Sequence, residues 1–426
     1  MKTNYIFLAF LFLTFNVAFS QSNFSNVFEE KTLRFDYFIG GNADTSIVFF
    51  KELRQEPFWG GSQINLIDTF NLGEYQVQVF DSITSQLLYS RGFSSLYQEW
   101  QTTAEAKKID KSFAETVVVP YPKNTIKLKI LRRLKNQTFV SLHELYVNPK
   151  NYFISKEQPH NYNVLQISGK HKPSQSLDIA LIPEGYTQNE MEKFRKDAKR
   201  FMNYTFEVEP FAKYKDNINF MLIEAASLES GADIPGESVW KNTLVNSHFY
   251  TFDIDRYLTS PDVHQIRDVA ATVPYDQIFI LVNTNKYGGS GIFNSYNICA
   301  SDHSQSREVF THEFGHGFAA LADEYFDSEV AYEDLYDFSV EIYNKNITTL
   351  VEFDKKWKDM LDKNTPIPTP NTAQYKDKLG VFEGGGYVSK GIYRPVWNCK
   401  MKSNETNEFC PVCKRAISQL LDFYLK

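Results

Sequence analysis

Two histidines four residues apart, His312 and His316, with Glu313 beside the first, constrain this chain more than any other feature. On an α-helix, residues four apart share a face and lie about 6 Å apart along the axis, because each residue rises about 1.5 Å and turns about 100°. Two imidazoles placed in this way can grip one metal ion. Glu313 cannot reach an ion held by that pair but can reach a water bound to it, which is how the His-Glu-x-x-His pattern works. Histidine is scarce, with eight in 426 residues, so the pairing is not a by-product of composition. Ser304 or Ser306 offers an N-cap, and Phe310, Phe314 and Leu321 form an apolar stripe offset from the histidines. A helix is predicted here.

A zinc ion that does chemistry keeps three protein ligands and leaves the fourth position for water, so a third ligand is required. Asp323 lies seven residues past His316 and eleven past His312. In an unbroken helix it would share their face yet sit about 10 Å too far along the axis, when a metal–oxygen bond is about 2 Å. The helix must therefore end or turn sharply between Gly317 and Ala322 if Asp323 is the ligand. Glu324 is the nearest competitor, swung off that face by its one-residue offset.

At these residues the chain resembles a known family. The stretch from His312 to Tyr325 is similar to a metzincin signature, in which the paired histidines are followed by a glycine, a third ligand and, later, a methionine turn under the metal. It departs from that pattern at Ala319, where the glycine is expected, and at Ala322, which occupies the usual third-ligand position. The closer resemblance is to the IgA-peptidase family of zinc metallopeptidases. Five further motifs carry it: Ser230-Gly-Ala-Asp-Ile-Pro-Gly236, Glu383-Gly-Gly-Gly-Tyr387, Gly391-Ile-Tyr-Arg-Pro395, Cys399-Lys-Met401 and Phe409-Cys-Pro-Val-Cys413. The resemblance implies a zinc peptidase domain preceded by an accessory domain. It does not imply the namesake substrate.

Met1 to Ser20 carries Lys2, then an apolar run ending in Ala18-Phe-Ser20, which reads as a cleaved export signal over residues 1–20. The expected location is periplasmic, extracellular or at the cell surface. No other stretch approaches the length of a membrane span and no cysteine follows the signal, so no stable membrane anchor is expected. Acidic and basic residues number 52 and 45, for a net charge of −7, with no basic stripe. Nucleic acid is an unsuitable partner for such a chain.

Residues 21–150 read as an accessory β-sandwich. Thr32 to Phe38, Tyr75 to Phe80 and Ile126 to Ile130 alternate apolar and polar side chains, and Gly40 to Asn42, Trp59 to Gly61 and Pro120 to Pro122 supply turns. Glu56 to Trp59 and Trp100 are candidates for a recognition surface, though core packing is the commoner fate of such aromatics. Residues 151–176 read as a linker. The catalytic domain is expected over 177–426, opening with a buried strand at Leu177 to Ile182. A capping box at Thr187 and Glu190 then introduces a helix, and further strands follow at Asn219 to Glu224 and Gln277 to Asn283. The expected fold class is thus α+β: an N-terminal β-sandwich, then a metzincin-like domain with a twisted mixed sheet and an active-site helix.

Several loops carry candidate chemistry. Asp233 and Glu237 make calcium conceivable but not favoured, since such a loop needs six or more oxygens. Tyr287 to Asn297 offers an edge strand against which an extended peptide can pair. Glu329, Glu333 and Glu341 keep open a distant-glutamate site. Tyr387 and Tyr393 are candidate hydrogen-bond donors to an oxyanion, and Arg394 a candidate for a substrate carboxylate or a structural ion pair. Met401 is expected beneath the zinc as an apolar floor. Four cysteines, Cys299, Cys399, Cys410 and Cys413, allow three complete pairings. Export favours disulfides, and Cys399 bonded to Cys410 or Cys413 is the preferred one. A structural zinc would need a second ligand pair, which the linear spacing does not show.

The expected activity is peptide-bond hydrolysis. Zinc on His312, His316 and Asp323 activates water, Glu313 serves as general base, Tyr387 or Tyr393 steadies the intermediate, and the partner is a protein or peptide substrate. Two alternatives stand beside it. One is an exported protein- or glycan-binding protein that keeps a zinc helix without cleaving. The other is a distant-glutamate zinc exopeptidase.

Overall fold

The computed structural model describes residues 23–326 and 335–425. The expected signal, Met1 to Ser20, and Glu329 and Glu333 lie outside the described residues.

The N-terminal region is built almost wholly of strands. After a one-turn helix α1 (Phe24–Val27) come β1 (Phe28–Gly41), β2 (Ser46–Glu56), β3 (Tyr75–Asp81) and β4 (Leu87–Phe93). A short helix α2 (Leu96–Trp100) precedes β5 (Lys111–Pro122), β6 (Ile126–Arg133) and β7 (Phe139–Val147). They form two antiparallel sheets, ordered β2-β1-β5 and β4-β3-β6-β7. Between them lies one apolar core that includes Phe35, Tyr37, Val77, Val79, Val119, Leu128 and Ile130. Alternation decides this arrangement, because side chains two apart share a face and one face of each sheet is buried. Trp59 and Trp100 belong to this core rather than to an exposed recognition surface. Glu56 is buried beside Arg34, which also reaches Asp268 of the following region at 2.6 Å. Two turn expectations are corrected. Gly40 and Gly41 finish β1, and Pro120 to Pro122 finish β5, with Thr32 opposite Pro120 and Phe28 opposite Pro122. Proline is tolerated there because β5 is an edge strand and its outward N–H positions need no partner.

A six-stranded mixed sheet organises the second region. Its members are β8 (Val164–Ser168), β9 (Leu177–Glu184), β10 (Ile218–Ile223), β11 (Gln277–Val282), β12 (Gly289–Ile292) and β13 (Tyr296–Ala300), in the order β12-β13-β11-β9-β10-β8. Strand β8 falls inside the stretch read as a linker and pairs antiparallel with β10. Strands β9 and β11 are buried at every position, as expected for central parallel strands covered on both faces. Helix α3 (Met191–Phe206), opened by the Thr187/Glu190 capping box, packs on one face with Phe194, Ala198 and Phe201 inward. Helix α4 (Val263–Ala270) packs on the other, among Ile266, Val269 and Ile280. Helix α5 (Ser306–Ala319), the hairpin β14 (Phe382–Gly385) and β15 (Val388–Arg394), and the final helix α6 (Pro411–Leu425) complete the molecule. The architecture is mixed α+β with an N-terminal domain of strands. No helix among the described residues is long and apolar enough to cross a membrane.

Candidate metal centre

Helix α5 carries the paired histidines. It starts without the expected serine cap: Gln305 is the N-cap and gives no side-chain hydrogen bond. Ser306 Oγ donates instead to the carbonyl of Ala300 at 2.7 Å, fastening the helix to the end of β13. Its other end is abrupt. Ala320 adopts a left-handed conformation (φ 47°, ψ 34°), and its N–H returns to the carbonyls of Gly315 and His316. That conformation costs a non-glycine residue about 1–2 kcal/mol, so the surroundings must hold it. They do so through two asparagines: Asn344 Nδ2 donates to the Ala320 carbonyl, and Asn346 binds both the N–H and the carbonyl of Ala322, each at 2.8 Å. The chain then runs back beside the helix. The Asp323 carbonyl accepts from Gly386 N at 2.8 Å, and Glu324 N donates to the Met401 carbonyl at 2.7 Å.

This turn removes the 10 Å discrepancy of an unbroken helix. Asp323 Oδ1 lies 3.1 Å from His312 Nε2 and 3.3 Å from His316 Nε2, and the two Nε2 atoms are 3.0 Å apart. Tetrahedral coordination with bonds of about 2.0–2.1 Å places neighbouring donor atoms about 3.3–3.4 Å apart, so the triangle has the right size for one small ion. The outer hydrogen bonds fit as well. His312 Nδ1 meets the Lys400 carbonyl at 2.9 Å and His316 Nδ1 meets the Leu321 carbonyl at 2.6 Å. Each Nδ1 proton is thereby committed, leaving Nε2 lone pairs that face Asp323 Oδ1, a buried oxygen without a hydrogen-bond donor. Three lone pairs converging at one buried point call for a cation. Burial alone would depress His316, but the Asp323 and Glu313 carboxylates outweigh it and lift its pKa to about 9. Asp323, although buried, is held far below the usual carboxylate range by the two imidazoles. The donor set is compatible with zinc.

Glu313 stands beside the centre without joining the triangle. Its carboxylate and the two imidazole nitrogens lie within 4.8 Å of one another. Burial raises its pKa, partly opposed by the two imidazoles. A cleft of about 350 Å³ opens over these groups, lined among others by Glu99, Arg256, Tyr287, Gly291, Tyr325 and Tyr387. Strand β12 forms its rim against the helix. A Cβ at Gly291 would lie 2.1 Å from the Glu313 carbonyl oxygen, so only glycine allows this approach.

The other sequence-predicted residues fall as follows. Tyr387 lines the cleft, but its hydroxyl donates to Asp323 Oδ2, so it orients that carboxylate. Tyr393 lies on β15, backbone-paired with Thr348, and is not among the residues lining the cleft. Arg394 is buried and donates to the carbonyls of Glu383 and Gly384. Met401 is fully buried under the helix, with its sulfur where a Cβ on Gly315 would come within 2.6 Å. Glu324 points away from the histidines, toward Cys413. Glu341 binds Thr348 Oγ1 and the amides of Thr349 and Glu352, away from the cleft. Asp233 accepts from Lys241 N and Glu237 pairs with Lys286, so the two acids considered for calcium are engaged separately. All four cysteines are free thiols; Cys399 and Cys413 have sulfurs 3.8 Å apart, which corrects the preferred disulfide.

Sequence reasoning missed Asn346, Arg256 and Glu99. Asn346 lies outside any motif, and its role exists only because the chain turns at Ala320. Arg256, from the loop before α4, lines the same cleft as Tyr325, whose proximity helps to raise the arginine's pKa against the opposing effect of burial. Glu99 comes from α2 of the N-terminal region, is bonded by Tyr257 Oη at 2.5 Å, and is pushed up to about 8 by burial. No local signal marks the last two as cleft residues.

Comparison with known families agrees with this arrangement. The family model described as IgA Peptidase M64 matches residues 165–375 and 371–421, and the one described as Peptidase M64 N-terminus matches residues 23–144. No curated protein matches the chain. The matched stretches cover most of the sequence, including His312, His316 and Asp323, and the chain therefore belongs to the IgA peptidase M64 family, with that family's N-terminal domain ahead of the region that bears these residues.

Proposed function

We propose that this protein is an exported zinc-dependent endopeptidase of metzincin type, organised as a signal over 1–20, a β-sandwich over 21–150, a connecting stretch over 151–176 that also lends strand β8 to the catalytic sheet, and a catalytic domain over 177–426. The observation that carries the reading is the donor triangle, with edges of 3.0, 3.1 and 3.3 Å, closed by Asp323 after the chain reverses at Ala320. His312, His316 and Asp323 would hold the zinc. When bound, the ion supplies Lewis acidity toward a water molecule and toward a substrate carbonyl.

The chain's own groups do the rest. Glu313, raised by burial and within 4.8 Å of both imidazole nitrogens, takes a proton from the attacking water and passes it to the leaving amine. Arg256 offers positive charge within the same cleft for the oxygen that becomes negative as the carbonyl is attacked. Tyr387 acts one step removed, fixing Asp323. Gly289 to Ile292 present a strand edge at the rim, a suitable template for the extended backbone of a protein or peptide substrate. Glu313→Gln tests the reading: zinc content should stay unchanged while peptide cleavage falls by about 10²–10⁴-fold. Cleavage retained at the wild-type rate would refute the assigned base.

A further inference from the structure

A second set of ligating side chains meets on the far side of the segment that carries Asp323. Glu324 faces inward, and with Cys399, Cys410 and Cys413 it forms a group whose ligand atoms all lie within 4.8 Å of one another. None of the four is more than 6% exposed. Glu324 Oε1 lies 3.0 Å from Asn346 Nδ2 and 3.3 Å from Cys413 Sγ, whereas Oε2 is buried without a hydrogen-bond partner. A carboxylate oxygen left in that state is costly unless a cation meets it.

Three explanations compete. Thiols packed merely as small apolar groups would not be gathered round a carboxylate. A disulfide would consume two sulfurs and leave Glu324 with the third, and the Cys399 to Cys413 separation of 3.8 Å is far from the S–S bond length of about 2.05 Å. A metal ion uses all four groups. For zinc–sulfur bonds of about 2.3 Å, the tetrahedral sulfur–sulfur edge is about 3.8 Å. Backbone amides also point at sulfur: Cys410 N lies 3.3 Å from Cys399 Sγ, and Cys413 N 3.5 Å from Cys410 Sγ. Such donors favour the thiolate form.

We propose that Cys399, Cys410, Cys413 and Glu324 hold a second, structural zinc ion in a closed site of three sulfurs and one oxygen. Thiolate donors select zinc over magnesium or calcium. On binding, the ion displaces the protons of the three thiols and of the Glu324 carboxyl, which burial holds protonated, to solvent, and no bond order or oxidation state changes. The sequence offers three of the ligands within fifteen residues, and the fourth arrives from 75 residues upstream of Cys399 because the reversal at Ala320 brings it there. The site would pin together three parts of the first centre. Glu324 follows Asp323 directly. Cys399 precedes Lys400, whose carbonyl orients His312, and Met401, which lies under Gly315. Cys410 and Cys413 anchor the start of α6.

Metal content of the full chain, purified without chelator and dialysed against metal-free buffer, tests this directly. The wild type should hold two zinc ions, His312→Ala/His316→Ala one, and that double variant with Cys413→Ser added none. X-ray absorption at the zinc edge on the double variant should give a shell of three sulfurs near 2.3 Å and one oxygen. If the double variant does not fold, wild-type protein treated with a mercurial serves instead, and one of its two zinc ions should be released as three thiols react. A double variant without zinc, a mercurial that releases none, or an intact mass showing a disulfide would each overturn the proposal. Failure of the first centre would show separately, as a wild type that holds zinc on sulfur alone.

Discussion

Tyr387→Phe separates two roles for a hydroxyl that sequence reasoning assigned to the oxyanion. In the folded chain that hydroxyl donates to Asp323 Oδ2, on a side chain only 4% exposed. Phenylalanine keeps the ring and removes the hydroxyl that faces Asp323, at a position whose φ is 68°. Hydrogen bonds to charged groups contribute about 1.5–3 kcal/mol, and loss of a group that orients a metal ligand lowers metal affinity about 10–100-fold. The two estimates agree, since tenfold corresponds to about 1.4 kcal/mol. Zinc affinity at the first centre should therefore fall by 10- to 100-fold, read by competition with a chromophoric chelator against the wild type measured in parallel. At saturating zinc, kcat should recover to within a few-fold of the wild type. Unchanged zinc affinity with kcat reduced 100-fold or more would refute the reasoning and return Tyr387 to the oxyanion.

Other expectations rest on separate contacts. Gly291→Ala places a Cβ 2.1 Å from the Glu313 carbonyl and 3.0 Å from Gly317 N, both backbone atoms that cannot yield cheaply. Overpacking of that kind costs about 1–3 kcal/mol, so thermal denaturation should shift down by several degrees, and an unchanged Tm would contradict the close approach of β12 to α5. Asn346→Ala removes the partner of three buried groups, the Ala322 amide and carbonyl and Glu324 Oε1, at about 1–3 kcal/mol each, measurable by urea unfolding; a change below 1 kcal/mol would show that the turn holds itself. Zinc affinity at the first centre should depend on pH. His316 titrates in the metal-free fold at about 9, above its ordinary value of 6.5, because Asp323 and Glu313 outweigh the opposing effect of burial. The protonated contact thus stabilises the metal-free protein fully below pH 6.5 and is lost as pH rises through about 9. Zinc displaces that proton, so its apparent affinity should climb about tenfold per pH unit between 7 and 9; a flat profile there would contradict the assignment.

Much of the centre was legible because helix geometry is local. The four-residue spacing of His312 and His316 needs nothing but the α-helical turn to become a shared face, and Glu313 follows from the same geometry. The strands of the N-terminal region were equally open to reading, since alternation along Tyr75 to Phe80 or Ile126 to Ile130 states which face is buried. Loop ends were not: Pro120 to Pro122 reads as a turn by composition but continues β5, because an edge strand has no inner partner to lose on that side.

What the sequence by itself determined is therefore the paired imidazoles, the neighbouring glutamate and the two kinds of architecture flanking them. Only the tertiary structure decided how Asp323 and Glu324 divide between two centres, a choice that hangs on one left-handed residue, Ala320, and on Asn344 and Asn346 holding the turn it starts. The same is true of Tyr387, Arg256 and Glu99, and of three thiols that close spacing presented as disulfide partners and the fold gathers round a carboxylate. Local spacing carries information over a turn or two of chain. Which acid meets which ligand across 75 residues depends on packing, and packing is encoded in no single segment.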